Sequence, residues 1–288
     1  MKRLLPLLLF GLVLTGNVAP AAAQVTAQSA DSLYAVYLLS VVVPQPDVAH
    51  YVVAYAHLLE GTPYAAGSLD RDSVEQLQAH LQETDCTIFV ETVLALAHTA
   101  AKRERTWEAF GRELTALRYR DGRIDGYPSR LHYFSDWIID NERRGNVKEM
   151  TAALGGVDDT LQLHFMSRHA HCYPALQRDT TLIGAIASQE KRLSGSTVSV
   201  LPAERLDSAA LAGIQSGDII AFTTDIDGLD IAHVGIALNE NGTVRLIHAS
   251  SSQGAVVIEK RALTLQLREN RRFTGIRIIR PLNVTARK

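Results

Sequence analysis

At 288 residues the chain is long enough for one large domain or two small ones with a real core. Its formal net charge of −2 leaves no basic surplus of the kind a nucleic-acid partner requires. A chain of this length needs no disulfide staple, so its two cysteines are either one bridge or one reactive thiol and one bystander.

The chain opens MKRLLPLLLFGLVLTGNVAPAAAQ. Lys2 and Arg3 form a basic start, Leu4 to Val13 is apolar, and Ala21-Ala22-Ala23 is a small-residue cleavage site. This is the pattern of a secretory signal peptide covering residues 1–23, and its apolar stretch is too short to span a bilayer. Cleavage leaves about 265 residues and, with Lys2 and Arg3 gone, a charge of −4. The expectation is an exported protein, periplasmic or secreted, with no stable membrane insertion once the leader is removed. No linker or repeat divides residues 24–288, which read as a single domain.

The first half of that domain reads as helices. Ser29–Leu39 is one. After the break VVVPQPD, Asp47 caps a second over Val48–Glu60, and Gly61 ends it. Ser73–Leu81 reads as a short helix. Asp85 or Thr84 then caps a strongly apolar helix that begins at Cys86 and continues through Phe89, Val93, Leu96 and Ala100. Residues 103–215 are mixed, with many turn signals, and read as a large helical and loop-rich insertion.

The period then changes. GDIIAFTT (217–224), AHVGIALN (232–239), TVRLIHAS (243–250), AVVIEK (255–260) and FTGIRIIRP (273–281) are short β-branched runs. Asn241-Gly242 between two of them is a strong hairpin signal. Helices followed by an antiparallel meander give an α+β fold.

Cys86 lies in the first turn of its helix, where unpaired N–H groups and the positive end of the dipole favour a thiolate. From position alone it is either such a thiolate or a small buried hydrophobe, and a disulfide to Cys172 stays open. Two of the ten histidines are distinguished by register. His233 opens one arm of the predicted hairpin and His248 lies near the end of the other, so the two are near-opposite and can share a face. Such a pair suits one imidazole taking a thiol proton while the other orients it. His169, His171 and Cys172 are too closely spaced to match a common zinc pattern, so neither a metal nor another cofactor is expected.

The ordered set GTPYAAGS (61–68), DCTIFV (85–90), SGDIIAF (216–222), AHVGIAL (232–238) and LIHAS (246–250) resembles the NlpC-type papain-like cysteine peptidases and amidases of bacterial cell-wall metabolism. The match runs over roughly residues 55 to 282, with Thr87 in place of the usual serine. The long middle, with YPSRLHYFSDWI, ERRGNV and RHAHCYPAL, is similar to the branch described as N-acetylmuramoyl-L-alanine amidases. The resemblance implies a papain-like core with Cys86 as nucleophile, His233 as general base, His248 as orienting group and Tyr64 beside the cysteine assisting the oxyanion. A bridged nucleophile could not attack, so it also implies a free Cys86, with Cys172 buried and inert. It further implies peptidoglycan fragments (muropeptides) as substrate, cut between N-acetylmuramic acid and L-alanine. Cleavage within the stem peptide, or wall binding without turnover, are the alternatives. Tyr133 and Trp137 offer flat faces for sugar or peptide and Arg130 a partner for a peptide carboxylate, unless that segment packs as an inserted helix.

Overall fold

Three side chains in the first half fix where helices begin. Asp47 accepts a hydrogen bond from the His50 amide at 2.9 Å, Asp85 from Ile88 at 2.8 Å and Thr106 from Ala109 at 3.2 Å. Each satisfies one of the orphan donors of a first turn. A computed structural model describes residues 27–72 and 74–283. The expected leader lies outside them.

The helices and strands follow in chain order. They are α1 (Ala27–Val41), α2 (Val48–Leu58), α3 (Cys86–Ala101), α4 (Trp107–Arg118), α5 (Phe134–Arg143), β1 (Val147–Glu149), β2 (Val157–Thr160), α6 (Phe165–Arg168), α7 (Pro174–Arg178), α8 (Thr181–Leu193), β3 (Thr197–Pro202), α9 (Ser208–Gly213), β4 (Ile219–Thr224), β5 (Ile231–Glu240), β6 (Thr243–Ser250), β7 (Ala255–Ile258), α10 (Leu263–Glu269) and β8 (Phe273–Pro281). The fold is mixed α+β, built on one antiparallel sheet.

The sheet runs β2-β3-β8-β4-β5-β6-β7, with β1 also paired to β8. The meander from β4 to β7 is the one read from the sequence. The last strand does not extend it, however: β8 returns to pair with β4. On its other side it receives β1 and β3, both from the 103–215 segment.

Both faces of the central strands are covered, which is why they read as continuous apolar runs. Ile219, Ala221, Val234, Ile236, Ile247 and Ala249 face α3 and its helical neighbours. Ile220, Phe222, Ala237, Leu246, Ile276 and Ile278 face α9, α10 and the loop before α9. Helix α3 is the axis of the first layer: every residue from Ile88 to Ala100 is buried.

One expectation is corrected and another extended. The segment expected to form a helix over Ser73–Leu81 has no regular structure over residues 75–80. Its backbone bonds to side chains instead. The Gln78 carbonyl accepts from Arg118 and that of Gln76 from the Tyr119 hydroxyl, while Asp31 accepts from the amides of His80 and Leu81. The 103–215 segment, read as helical and loop-rich, carries strands as well. It supplies α4, α5 and three strands, and it has a core of its own around Tyr133, Leu163, Met166, Leu176, Ile186 and Val200.

Helix α5 explains the aromatic cluster in that segment. Trp137 is fully buried, stacked on Phe134 with ring centroids 4.9 Å apart, in the same core as α3. Truncating a side chain of this size in a packed core costs about 3–5 kcal/mol. Trp137→Ala is therefore expected to lower the denaturant midpoint by that equivalent, whereas a ligand platform at this position would lose binding with stability unchanged.

Candidate active site

Cys86 opens α3 immediately after its cap, Asp85. The loop that approaches it is tied down on both sides. The Gly61 amide bonds to the Val256 carbonyl, the Tyr64 amide to the Gly254 carbonyl, and Ala65 and Thr84 bond across the neck of the loop. These bonds hold Tyr64 where its ring packs on the core beside Cys86 and its charge would be felt by the sulfur. Burial, Cys86 and Asp85 push the Tyr64 phenol up to about 12. The hydroxyl is therefore a neutral donor at physiological pH.

The hairpin of β5 and β6 brings the two singled-out imidazoles together. His233 Nε2 and His248 Nδ1 are 2.6 Å apart, with the ring planes at 80°. They are diagonal neighbours rather than directly opposed. The register pairs Ile236 with Ile247, and extending it by one step puts Gly235 opposite His248. A Cβ on Gly235 would sit 3.0 Å from the His248 Cβ, so the glycine of His-Val-Gly leaves room for the second imidazole. A bulge in the β4–β5 ladder, just past the Phe222–His233 pair, bends the strand where His233 leaves it.

The sulfur reaches this hairpin. The backbone N–H of Val234, next to His233, acts on the Cys86 thiol and favours its charged form, as do the Thr87 hydroxyl and amide. They do not win. Burial, joined by the Asp85 carboxylate, pushes the thiol up to about 12. Burial thus opposes the thiolate that the helix terminus favours. Burial, and then His248, push His233 down to about 3. Burial thus favours the neutral form of both the thiol and the imidazole.

Both cysteines are free. Cys172 is exposed, not buried as expected, because α6, α7 and the turn between them lie over the core around Leu163 and Leu176 with Cys172 on the outside. Among the described residues no group of three or more His, Cys, Asp or Glu is placed to hold a metal ion, and no helix is long and apolar enough to cross a membrane.

The profile of the AmiA-like, N-acetylmuramoyl-L-alanine amidase-like family matches residues 54–276. The chain belongs to that family. Among solved structures, an N-acetylmuramoyl-L-alanine amidase from Bacteroides uniformis is 37% identical, covering 82% of this chain and 99% of its own, with a TM-score of 0.78. A candidate xylanase from Bacteroides fragilis is 43% identical over 78% of this chain and 98% of its own, TM-score 0.74. Protein LPG0564 from Legionella pneumophila, at 22% identity and a TM-score of 0.70, covers 88% of this chain and 95% of its own and shares the fold. No curated protein matches the sequence.

In this AmiA-like chain a cavity of about 170 Å³ is lined by Asp85 and Thr87, the sequence neighbours of Cys86, and by Asp70, Tyr127, Arg130 and Tyr173 among others. Arg130 lines it but is not a free guanidinium. It bonds to Asp70, lies 3.6 Å from Glu75 and sits over the Tyr127 ring at 4.9 Å. Its expected role toward a peptide carboxylate is corrected by those internal partners. Tyr133 and Trp137 are corrected too. The Tyr133 hydroxyl donates to Glu190 at 2.7 Å and accepts from the Met166 amide, and both rings are buried. Asp70, Tyr127 and Tyr173 were not singled out in the sequence. Asp70 and Arg130 lie sixty positions apart, and no local pattern marks such a pair.

The upward push of burial on the Cys86 thiol has a direct consequence for alkylation. At pH 7 iodoacetamide is expected to modify exposed Cys172 first, with Cys86 reacting slowly and accelerating as the pH rises toward its raised pKa. Peptide mass spectrometry reads the order. Faster modification of Cys86 at neutral pH would mean a resting thiolate.

Proposed function

We propose that this chain is an exported cell-wall amidase that hydrolyses the amide between N-acetylmuramic acid and L-alanine by thiol catalysis. The observation that carries the reading is the His233–His248 hydrogen bond on the hairpin whose Val234 amide meets the Cys86 sulfur. Family membership and the amidase from Bacteroides uniformis support the substrate class. A papain-like core of the NlpC type is part of this proposal. It is supported by a cysteine at the start of a buried helix that packs against the two paired strands carrying the histidines. The leader sequence supports export, and one domain over residues 24–288 is supported by β1 and β3 of the long insertion pairing with the last strand.

On this reading, Cys86 Sγ attacks the lactyl carbonyl as its proton passes to His233. The negative oxygen is met by the Cys86 backbone N–H, an orphan donor of the first turn, and by the neutral Tyr64 hydroxyl. His233 then gives the proton to the departing amine of L-alanine, leaving a thioester on the sulfur. A water, deprotonated by His233, attacks that thioester and releases the muramyl carboxylate, and the thiol takes back its proton. His248 accepts the His233 Nε2–H bond and fixes the ring with Nδ1 unprotonated for this work.

The xylanase name of one relative is not transferred. Glycoside hydrolysis needs two carboxyl groups facing each other across the bond. Here Asp70 is bound to Arg130, and Glu91 to Arg118 at 2.6 Å.

Muropeptides of defined structure, digested and separated by mass, test the reading. The expected products are the free sugar and an intact peptide beginning with L-alanine. A shortened peptide left on the sugar would indicate a stem-peptide endopeptidase, and no product at all a binding module. Cys86→Ala is expected to reduce turnover by roughly a thousandfold or more with folding retained, and Cys172→Ser to leave it unchanged. Equal losses in the two would contradict the nucleophile assignment.

The pH profile carries a sign. His233 works as a base only when neutral, and its pKa is depressed in the fold. The acid limb of kcat/KM is therefore expected below the ordinary histidine value of about 6.5. A limb at or above that value would contradict a buried neutral base.

A further inference from the structure

The hydrogen bond between the two imidazoles leaves one atom unaccounted for. His248 is 7% exposed, and its Nε2 is buried with no hydrogen-bond partner. For His233 Nε2 to donate to His248 Nδ1, that orphan Nε2 must carry a proton. Nothing within the imidazole pair enforces this tautomer. With the proton on His248 Nδ1 instead, His233 would have to accept at Nε2 and carry its own proton on Nδ1, and it could not act as a base toward the sulfur.

The next strand supplies an anion. The β6–β7 register pairs His248 with Val257, and the Glu259 amide bonds to the Leu246 carbonyl at 2.7 Å. Alternation therefore puts Glu259 on the same face of the sheet as His248, on the side away from β5. Glu259 is 5% exposed and gripped by Arg261, through Nη2 at 2.6 Å, Nε at 3.1 Å and the backbone amide at 3.1 Å. A second carboxylate, Glu269, holds the other end of Arg261 at 2.8 Å. The charged groups that face His248 are Glu259, which favours its positive form, and Arg261, which opposes it. Arg261 keeps the Glu259 carboxyl ionised, down at about 2.

We infer that Glu259 is a positioning residue for the imidazole pair: its buried carboxylate holds the proton of His248 on Nε2, and so leaves His233 with an unprotonated Nδ1. The carboxylate does so by its field and does not take the proton. A negative charge behind His248 favours the tautomer whose N–H dipole points toward it. It also stabilises the positive charge that reaches the pair when the thiol is deprotonated. Arg261 keeps the carboxylate ionised and fixed in direction. The inference deepens the amidase reading above and, for its kinetic part, rests on it.

The tautomer is read without turnover, by long-range ¹⁵N–¹H spectra of histidine-labelled protein carrying Cys86→Ala. With Glu259 intact, His248 is expected to be protonated on Nε2 alone; with Glu259→Gln, the two tautomers are expected to mix. In the enzyme with Cys86 intact, Glu259→Gln is expected to lower kcat/KM about tenfold, mostly through kcat, and to move the acid limb to lower pH. Glu259→Asp, which keeps the charge, should restore the limb. Glu269→Gln, which alters only the far end of Arg261, should change neither the tautomer nor the limb. A rate loss in Glu259→Gln with tautomer and acid limb unmoved would mark a purely structural residue and overturn the inference. If Glu259→Gln fails to fold, the Glu259→Asp spectra and pH profile decide the same point. Full turnover by Cys86→Ala would instead sink the amidase reading while leaving the tautomer result standing.

Discussion

One short hydrogen bond, between the side chains of His233 and His248, sets what this site can do. It exists because a tight Asn241-Gly242 turn fixes the register of β5 against β6, and because Gly235 has no Cβ to hold His248 away. A one-residue slip would turn one imidazole to the other face. The same hairpin reaches the first turn of α3 through the Val234 amide. Strand pairing thus aims the imidazoles, while the cap of a buried helix places the sulfur. The Gly61–Tyr64 loop, laced to β7 and to Thr84, brings up the phenol.

The electrostatics of the site follow from burial more than from the helix terminus. A helix end contributes about 0.3–1 kcal/mol, and up to ~2 in sheltered geometry. One pKa unit is about 1.4 kcal/mol, so that contribution moves a thiol by little more than a unit. Desolvation at the start of α3, with the Asp85 carboxylate one residue away, acts in the opposite direction and wins. The same burial keeps both imidazoles neutral. In the proposed mechanism no charge is stored on the resting sulfur. Charge appears on the sulfur and the histidine pair together, at the moment of attack, where the Cys86 N–H, the Tyr64 hydroxyl and the Glu259 carboxylate are already in place.

What the sequence made legible was local. Asp47 and Asp85 announced two helices through their caps, and alternating β-branched runs with Asn-Gly between them announced the hairpin. The pairing of His233 with His248 came from counting residues to that turn. What it hid was long-range. No pattern marks that Gln76 and Gln78 spend their backbone carbonyls on Tyr119 and Arg118, so a helical composition at 73–81 misled. Tyr133, Trp137 and Arg130 carry the chemistry of sugar and peptide recognition. Yet their surroundings come from α8, from the core around α3, and from Asp70 and Glu75. The electrostatic balance at Cys86 was hidden for a related reason: position on the helix is visible in sequence, and the desolvation that opposes a thiolate there is not.

The central claim is that the Cys86 sulfur becomes acylated with His233 as the base that makes it possible. Rapid acid quench of enzyme with excess muropeptide, followed by peptide mass spectrometry, measures it directly. The account predicts an adduct with the mass of the muramyl acyl group on the peptide that contains Cys86, and none when His233 is alanine. Hydrolysis proceeding with no adduct on Cys86, or an adduct formed equally well without the imidazole, would contradict it.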